Sequence, residues 1–317
     1  MISAKKIHQA YHVVVVGGGP AGCQTALYSA SEGLSTLVIE RAQYGGQIAQ
    51  TPLLENFGGQ HATSGMAFST VLRDQAERMG THLTTGDVVG ITRDYLYNLV
   101  KVMIDGLLVE IQAHAVVIAT GASWTKLDVA GEHLPNVHYG PFMTTKLDLR
   151  EERVAFIGGG NSAAQGILHA ADQASAVHVF CRSTITSSQY LVNRMQARDN
   201  VYLHENAQVQ EIAGTNNVTG IIVNDKHYAV DHIFITAGLT PNTKWLDRTV
   251  DLDENGYIRT GMSPFKTMTS MMGVFAAGDV RRDTFKALGA AIGDARAVVG
   301  DLHRFLATAK APTVSLN

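Results

Sequence analysis

The sequence predicts an α/β fold of two Rossmann-like three-layer domains, and two stretches carry that reading. VVVVGGGPAGCQTALYSASEGLSTLVIE runs from an apolar strand through a glycine turn and a helical pattern to a second apolar strand. VAFIGGGNSAAQGILHAADQASAVHVFCRS repeats the order about 140 residues later. A chain of 317 residues has room for two compact domains with sizeable cores.

Each part of the first stretch has a physical job. A four-valine run reads as a buried strand, and Gly17-x-Gly19-x-x-Gly22 follows it with Pro20 and Ala21 inside the motif. Gly17 permits the tight turn, Gly19 lets a pyrophosphate approach the backbone, and Gly22 lets the helix pack on the strand. The helix N-terminus then faces the phosphates. Glu40 lies 18 residues past Gly22, where a carboxylate accepts both hydroxyls of a ribose.

The second stretch reads Gly158-x-Gly160-x-x-Ala163, with Asn161 and Ser162 opening its helix, but its second strand ends in Cys181-Arg182-Ser183. A carboxylate at that end repels a ribose 2′-phosphate and an arginine pairs with it, so Arg182 suits NADPH better than NADH. A solvated strand end is the alternative for Arg182. Two turns imply two nucleotides, a set of sites found in flavoenzymes where a nicotinamide meets a flavin and the cofactors carry the chemistry.

Composition narrows the partners. Apolar residues make up 45% of the chain and the formal net charge is −3, so no basic surface argues for nucleic acid and small molecules are the expected partners. MISAKKIHQAYH lacks the apolar core of a signal peptide, and no run approaches the roughly 20 apolar residues that span a bilayer. A cytoplasmic protein without membrane attachment is expected. The only cysteines, Cys23 and Cys181, form neither a disulfide framework nor a ligand set, and Cys23 reads as a small apolar core residue. His8-x-x-x-His12 has a ligand spacing on a helix but no evident third ligand, so no metal is expected.

Further segments extend the pattern. Ala119-Thr120-Gly121-Ala122 closes an apolar strand, IFITAGLTPNT echoes it at 233–243, GVFAAGDV carries Gly278-Asp279, and ERAQYGGQIAQTPLLENFGG contains Gly45-Gly46-Gln47 and Glu55-Asn56. Together these resemble the low-molecular-weight thioredoxin reductases over residues 12–306. The resemblance implies an FAD domain in two pieces, 1–123 and 245–317, with an NAD(P)H domain, 124–244, inserted between them, and a homodimer. Carried over, Gly17, Gly19, Pro20, Ala21, Gly22, Glu40 and Arg41 would hold the ADP half of FAD. Gly45, Gly46, Gln47, Ile48 and Asn56 would lie on the flavin side, Val88 at the adenine, Thr120 and Gly121 beside the cofactor, and Gly278 and Asp279 at the ribityl chain or pyrophosphate. Backbone N–H groups of Lys286, Ala287 and Leu288 would approach the flavin where reduction places negative charge. Gly158, Gly160, Asn161, Ser162, Ala163, Arg182 and Gly238 would hold NADPH or NADH.

Two departures from the family bear on chemistry. Its Cys-x-x-Cys falls at Pro141, Phe142, Met143 and Thr144 in HYGPFMTTKLD, where no thiol stands, so reduction of thioredoxin by the family's route is ruled out. The family's histidine and arginines after the second strand appear as Cys181, Arg182, Ser183 and Ser187; Arg194 and Arg198 follow on a predicted helix. These features fit a cysteine-less branch of thioredoxin-reductase-like proteins. Some such relatives reduce ferredoxin or flavodoxin, usually with an aromatic residue in a C-terminal extension that LATAKAPTVSLN lacks. No side chain stands out as a general acid, base or nucleophile.

The leading expectation is an FAD-dependent NAD(P)H oxidoreductase whose electrons leave to an unidentified acceptor other than a disulfide. The alternatives are a flavin-binding redox sensor without nicotinamide turnover, and a protein whose 124–244 domain holds a second flavin or other nucleotide.

Overall fold

The computed structural model describes residues 10–51, 54, 57–59, 61–262 and 264–308. The chain forms two compact units, one of Met1–Ser123 with Pro241–Asn317 and one of Trp124–Thr240. The return passage reaches the first unit at Pro241 rather than at residue 245. Asn242 already belongs there, since its backbone N–H donates to Gly121 O (3.0 Å) and its side-chain amide to Thr120 O (2.9 Å).

In the first unit β1 (Ala10–Val16), α1 (Pro20–Ser31), β2 (Thr36–Glu40), α2 (Gly65–Arg78) and β3 (His82–Thr85) alternate, and β1, β2 and β3 are parallel. An antiparallel meander follows: β4 (Asp87–Arg93), β5 (Asn98–Ile104) and β6 (Leu107–Ile118). β6 serves two neighbours in turn. Residues Leu107–Ala113 pair with β5, and Gln112–Ile118 pair with β1. After the second unit the chain returns to add β17 (Val274–Ala276) beside β6 and the long helix α5 (Leu288–Thr308).

The valines of β1 show why three layers form. Alternate side chains point to opposite faces: Val13 and Val15 pack under α1 and α5, while Val14 and Val16 pack under the meander, none more than 4% exposed. Burial of each contributes about 1.5–3 kcal/mol. Pro20 begins α1 at a position where its missing N–H is not needed, and Gly33 at φ +84° follows the helix.

Two short strands, β7 (Ala122–Trp124) and β16 (Leu239–Pro241), are the chain's passages and pair with each other. The second unit contains β8 (Val137–Tyr139), β9 (Arg153–Ile157), α3 (Asn161–Ala171), β10 (Ala176–Phe180), α4 (Gln189–Gln196) and β11 (Val201–His204). It continues with β12 (Val209–Gly214), β13 (Val218–Val223), β14 (Lys226–Tyr228) and β15 (His232–Ile235). Its five-stranded sheet is parallel throughout, in the order β11-β10-β9-β15-β8. Val154, Phe156, Val177 and Val179 face α3 and α4; Ala155, Ile157, Ile233 and Ile235 face the antiparallel β12–β14 layer. Both units are therefore helix, parallel sheet, antiparallel sheet. Among the described residues no helix is long and apolar enough to cross a membrane.

Candidate functional site

The first glycine turn sits at the C-terminal end of β1, where the strand order of an open α/β sheet reverses and a crevice forms. Two of its glycines are required by the protein itself. A Cβ on Gly17, which has φ +112°, would strike Ala119 O, and one on Gly22 would strike Gly17 O. Gly19 has no such reason: its φ is −77°, and the nearest atom to an added Cβ is Gly46 Cα at 3.8 Å. Gly19 is also the N-cap of α1 and supplies no side-chain hydrogen bond, whereas Ser64, which caps α2, accepts from Ala67 N–H at 3.1 Å. The N-terminus of α1 thus opens onto space that suits an anion.

The residues around this turn are brought together. Glu40 Oε2 accepts from Gly18 N–H (2.6 Å) and its Oε1 from Ala42 N–H (3.0 Å), which fixes the carboxylate at the turn. Gly45 N–H donates to Gly18 O (2.8 Å), tying the Gly45–Gly46 loop to it. Gln47 donates through its amide to Ala122 O, and Thr120 Oγ1 donates to Asn242 O (2.9 Å). A Cβ on Gly278 would lie 2.8 Å from Ala21 Cβ, so the Gly278–Asp279 segment passes directly over α1. Burial raises the Asp279 carboxyl, with the Lys286 charge opposing. Arg41 is exposed, Ile48 is half-buried, and Asn56 and Glu55 lie outside the described residues.

Other expected residues have partners within the protein. Val88 is 6% exposed within the meander core, opposite Val102. α5 starts at Leu288, and Ala287 N–H donates to Phe285 O (2.9 Å). Lys286 directs its ammonium to Asp279 O (3.0 Å) and Arg281 O (2.8 Å), 4.1 Å from the Tyr257 ring centroid. Sequence reasoning missed Gly18 and Tyr44. The Tyr44 ring backs Gly18, and its hydroxyl donates to Thr84 O (2.9 Å). The triple glycine was the available signal.

The second turn repeats the geometry. Gly158, at φ +118°, abuts Thr236 O, while Gly160, at φ −82°, caps α3 without a side chain and has Thr186 Oγ1 as nearest neighbour to an added Cβ, at 3.9 Å. Ala163 is buried; Asn161 and Ser162 are exposed, and Asn161 Oδ1 accepts from Ser188 N–H (2.8 Å). Gly238, at φ +96°, accepts from Thr125 N–H (3.1 Å). Arg182 is exposed. Arg198 pairs with Asp172 (2.7 Å) and Arg194 stacks over Tyr190, so both downstream arginines are engaged elsewhere.

The HYGPFMTTKLD segment is a structured turn at the end of β8. Pro141–Thr145 form a 3-10 helix in which Pro141 and Thr144 are buried, and Thr144 Oγ1 donates to Pro141 O (2.8 Å). Pro141 packs against Gly166 of α3, and Met143 joins the core beneath that helix; Phe142 is half-buried. Gly140, at φ +83°, lies against the Trp124 indole. His138 faces His232 (Nε2 to Nδ1, 3.1 Å), and the Tyr139 hydroxyl donates to Glu132.

Neither thiol is poised for exchange. Both are free and buried. Burial, then the Glu40 charge, pushes the Cys23 thiol up to about 12, and burial, then the Glu205 charge, pushes Cys181 up to about 11. His12 lies in β1, not on a helix, and its Nδ1 accepts from Ser35 N–H (3.1 Å); His8 lies outside the described residues.

The family profile described as pyridine nucleotide-disulphide oxidoreductase matches residues 11–295. The chain belongs to this family. FAD and NAD(P)H are the cofactors that this family implies. A relative from Staphylococcus aureus (strain MRSA252), the F component of alkyl hydroperoxide reductase, is 34% identical over 280 residues, 85% of this chain and 54% of that protein. The chain thus spans about half the length of the relatives it matches. Among solved structures, T. acidophilum thioredoxin reductase aligns at 30% identity with a TM-score of 0.84, over 94% of this chain and 99% of that one. Lactococcus lactis thioredoxin reductase aligns at 27% with a TM-score of 0.85 over the same shares. A bacillithiol disulfide reductase from Bacillus cereus, at 19% identity and a TM-score of 0.77 over 93% of this chain and 99% of that one, shares the fold.

Proposed function

We propose that this oxidoreductase takes electrons from a nicotinamide nucleotide held by Trp124–Thr240, passes them to FAD held by Met1–Ser123 with Pro241–Asn317, and delivers them to an acceptor other than a disulfide. The observation that carries the nucleotide reading is the pair Gly19 and Gly160. Ordinary φ angles and neighbours no nearer than 3.8 Å leave glycine unexplained by the protein alone, and explained by a phosphate passing close to the backbone.

A bound flavin would supply hydride acceptance and the release of electrons to a second acceptor. The chain's own residues do the rest. The uncapped first turns of α1 and α3 present N–H groups and the positive ends of their dipoles to pyrophosphates. Glu40, already oriented by two backbone N–H groups, retains acceptor capacity for ribose hydroxyls. Asp279 is placed over the N-terminal turn of α1 by the Gly278–Ala21 approach and serves the ribityl chain or pyrophosphate.

Pro141–Thr145 holds no thiol, and both cysteines are neutral and buried at physiological pH, so electrons leave the flavin without a dithiol relay in this chain. A cytoplasmic homodimer belongs to the same proposal. Anaerobic titration of the FAD-loaded protein with NADH and NADPH, watched at the flavin absorption band, is expected to bleach the flavin with at least one of them. A flavin that stays oxidised with both refutes the reading.

A further inference from the structure

We propose that Glu205 sets the nucleotide preference of the second turn, so that this unit takes a dinucleotide whose adenosine ribose has free hydroxyls, NADH rather than NADPH. The inference rests on the reading that Trp124–Thr240 holds a nicotinamide nucleotide.

Strand register identifies the matching positions in the two units. In the first, Val16 stands beside Ile39 and Glu40 beside Thr85. In the second, Ile157 stands beside Phe180 and Phe180 beside His204. One residue further along each strand, Cys181 occupies the place of Glu40 and Glu205 that of Thr85. The acid has moved one strand sideways. Cys181 turns its sulfur beneath Gly159, much as Glu40 lies beneath Gly18, and fills that space without charge.

Glu205 follows the end of β11, the strand beside β10. Its Oε1 accepts from Ile185 N–H (2.8 Å), which carries the carboxylate across to the loop after β10. That loop closes on the glycine turn: Thr186 and Ser187 N–H both donate to Gly159 O (3.0 Å), and Ser187 Oγ donates to it at 3.1 Å. The Glu205 charge also acts on the Cys181 thiol, which places the carboxylate within electrostatic reach of the residue under Gly159. The carboxylate's remaining acceptor capacity suits ribose hydroxyls, whereas a 2′-phosphate would bring like charges together. Arg182 is the exposed cation at the strand end, and Arg194 and Arg198 stack and pair elsewhere. The preference read from Arg182 alone is thereby reversed.

Isothermal titration calorimetry of the FAD-loaded full chain with NAD+ and NADP+ tests this. NAD+ is expected to bind about 10-fold or more tightly than NADP+. Glu205→Gln keeps an acceptor for Ile185 N–H and removes only the charge, so it should bring the two affinities to within about 3-fold, with an unchanged thermal midpoint. Equal or tighter NADP+ binding by the parent protein, or an unaltered ratio in Glu205→Gln, overturns the proposal. Flavin absorbance in the same samples separates it from the functional reading. NAD+ preference without bleaching by NADH or NADPH refutes electron transfer and leaves the role of Glu205 standing. Tighter NADP+ binding with bleaching by NADPH does the opposite, and binding of neither nucleotide overturns both.

Discussion

In the first unit the strand after the glycine turn ends in Glu40, whose carboxylate is held by the N–H groups of Gly18 and Ala42. In the second, the same place holds Cys181, a buried thiol under Gly159. The backbones around these two residues are near copies: a left-handed first glycine against the carbonyl of a neighbouring strand, an unhindered third glycine, and a helix capped by no side chain. In the proposed reading, the parts that cradle phosphates are backbone and recur in both units. The parts proposed to choose a ribose lie on side chains, and those differ.

The largest expected effects break the comparison one unit at a time. Gly22→Leu places a side chain against Gly17 O, and should release FAD and lower stability by about 3 kcal/mol or more, read from the flavin-to-protein absorbance ratio and urea unfolding. Gly158→Val forces a branched residue into φ +118° against Thr236 O, and should abolish bleaching by NADH and NADPH while FAD stays bound. Loss of FAD from that variant would show that the two sites are not separable.

Glu40→Gln sharpens the contrast at the strand ends. FAD affinity of the apoprotein should fall by about 10-fold through the lost charge-assisted bonds, whereas Cys181→Ser should alter nucleotide affinity by less than about 3-fold.

A smaller effect follows from His138. Burial, then the neighbouring His232, lowers its pKa to about 4. Burial also lowers His232, against the charges of Glu152 and Asp231. The unfolded chain takes up the His138 proton near the ordinary value of 6.5 and the folded chain does not, so stability should fall as pH drops from about 6.5 towards 4. The loss should be about 1–2 kcal/mol after solvent screening, checked by urea unfolding at pH 7 and pH 5, and His138→Phe should flatten it. The smallest change belongs to the altered dithiol segment. Thr144→Val removes the hydroxyl bond to Pro141 O and should cost about 1 kcal/mol with no change in the rate of flavin reduction.

Much of this was legible along the chain because the signals are local. The valines of β1, the glycine spacing, Pro20 at the helix start and Glu40 at the strand end each specify a short piece of backbone whose partners are repeats of the same pattern. Asn242, Tyr44 and Glu205 were not legible. Each acts on residues far away in sequence, on Thr120, Gly18 and Ile185 in turn, and no spacing rule links such pairs. Lys286 was read for its backbone and acts through its ammonium, because the fold delivers two carbonyls, Asp279 O and Arg281 O, to the end of a long side chain.

The sequence by itself determined that two strand, glycine-turn and helix units exist, that no dithiol stands at Pro141–Thr144, and that the second strand ends carry different chemistry. Those are properties of residue type and of steric limits on a few consecutive peptides. Only the tertiary structure decided that Cys181 is sealed beneath Gly159, that Pro141 is a packing residue against α3, and that a carboxylate from β11's end reaches the loop that closes on the second turn. Parallel strands bring together residues more than twenty positions apart, and which side chain arrives at a shared edge is set by register across the sheet.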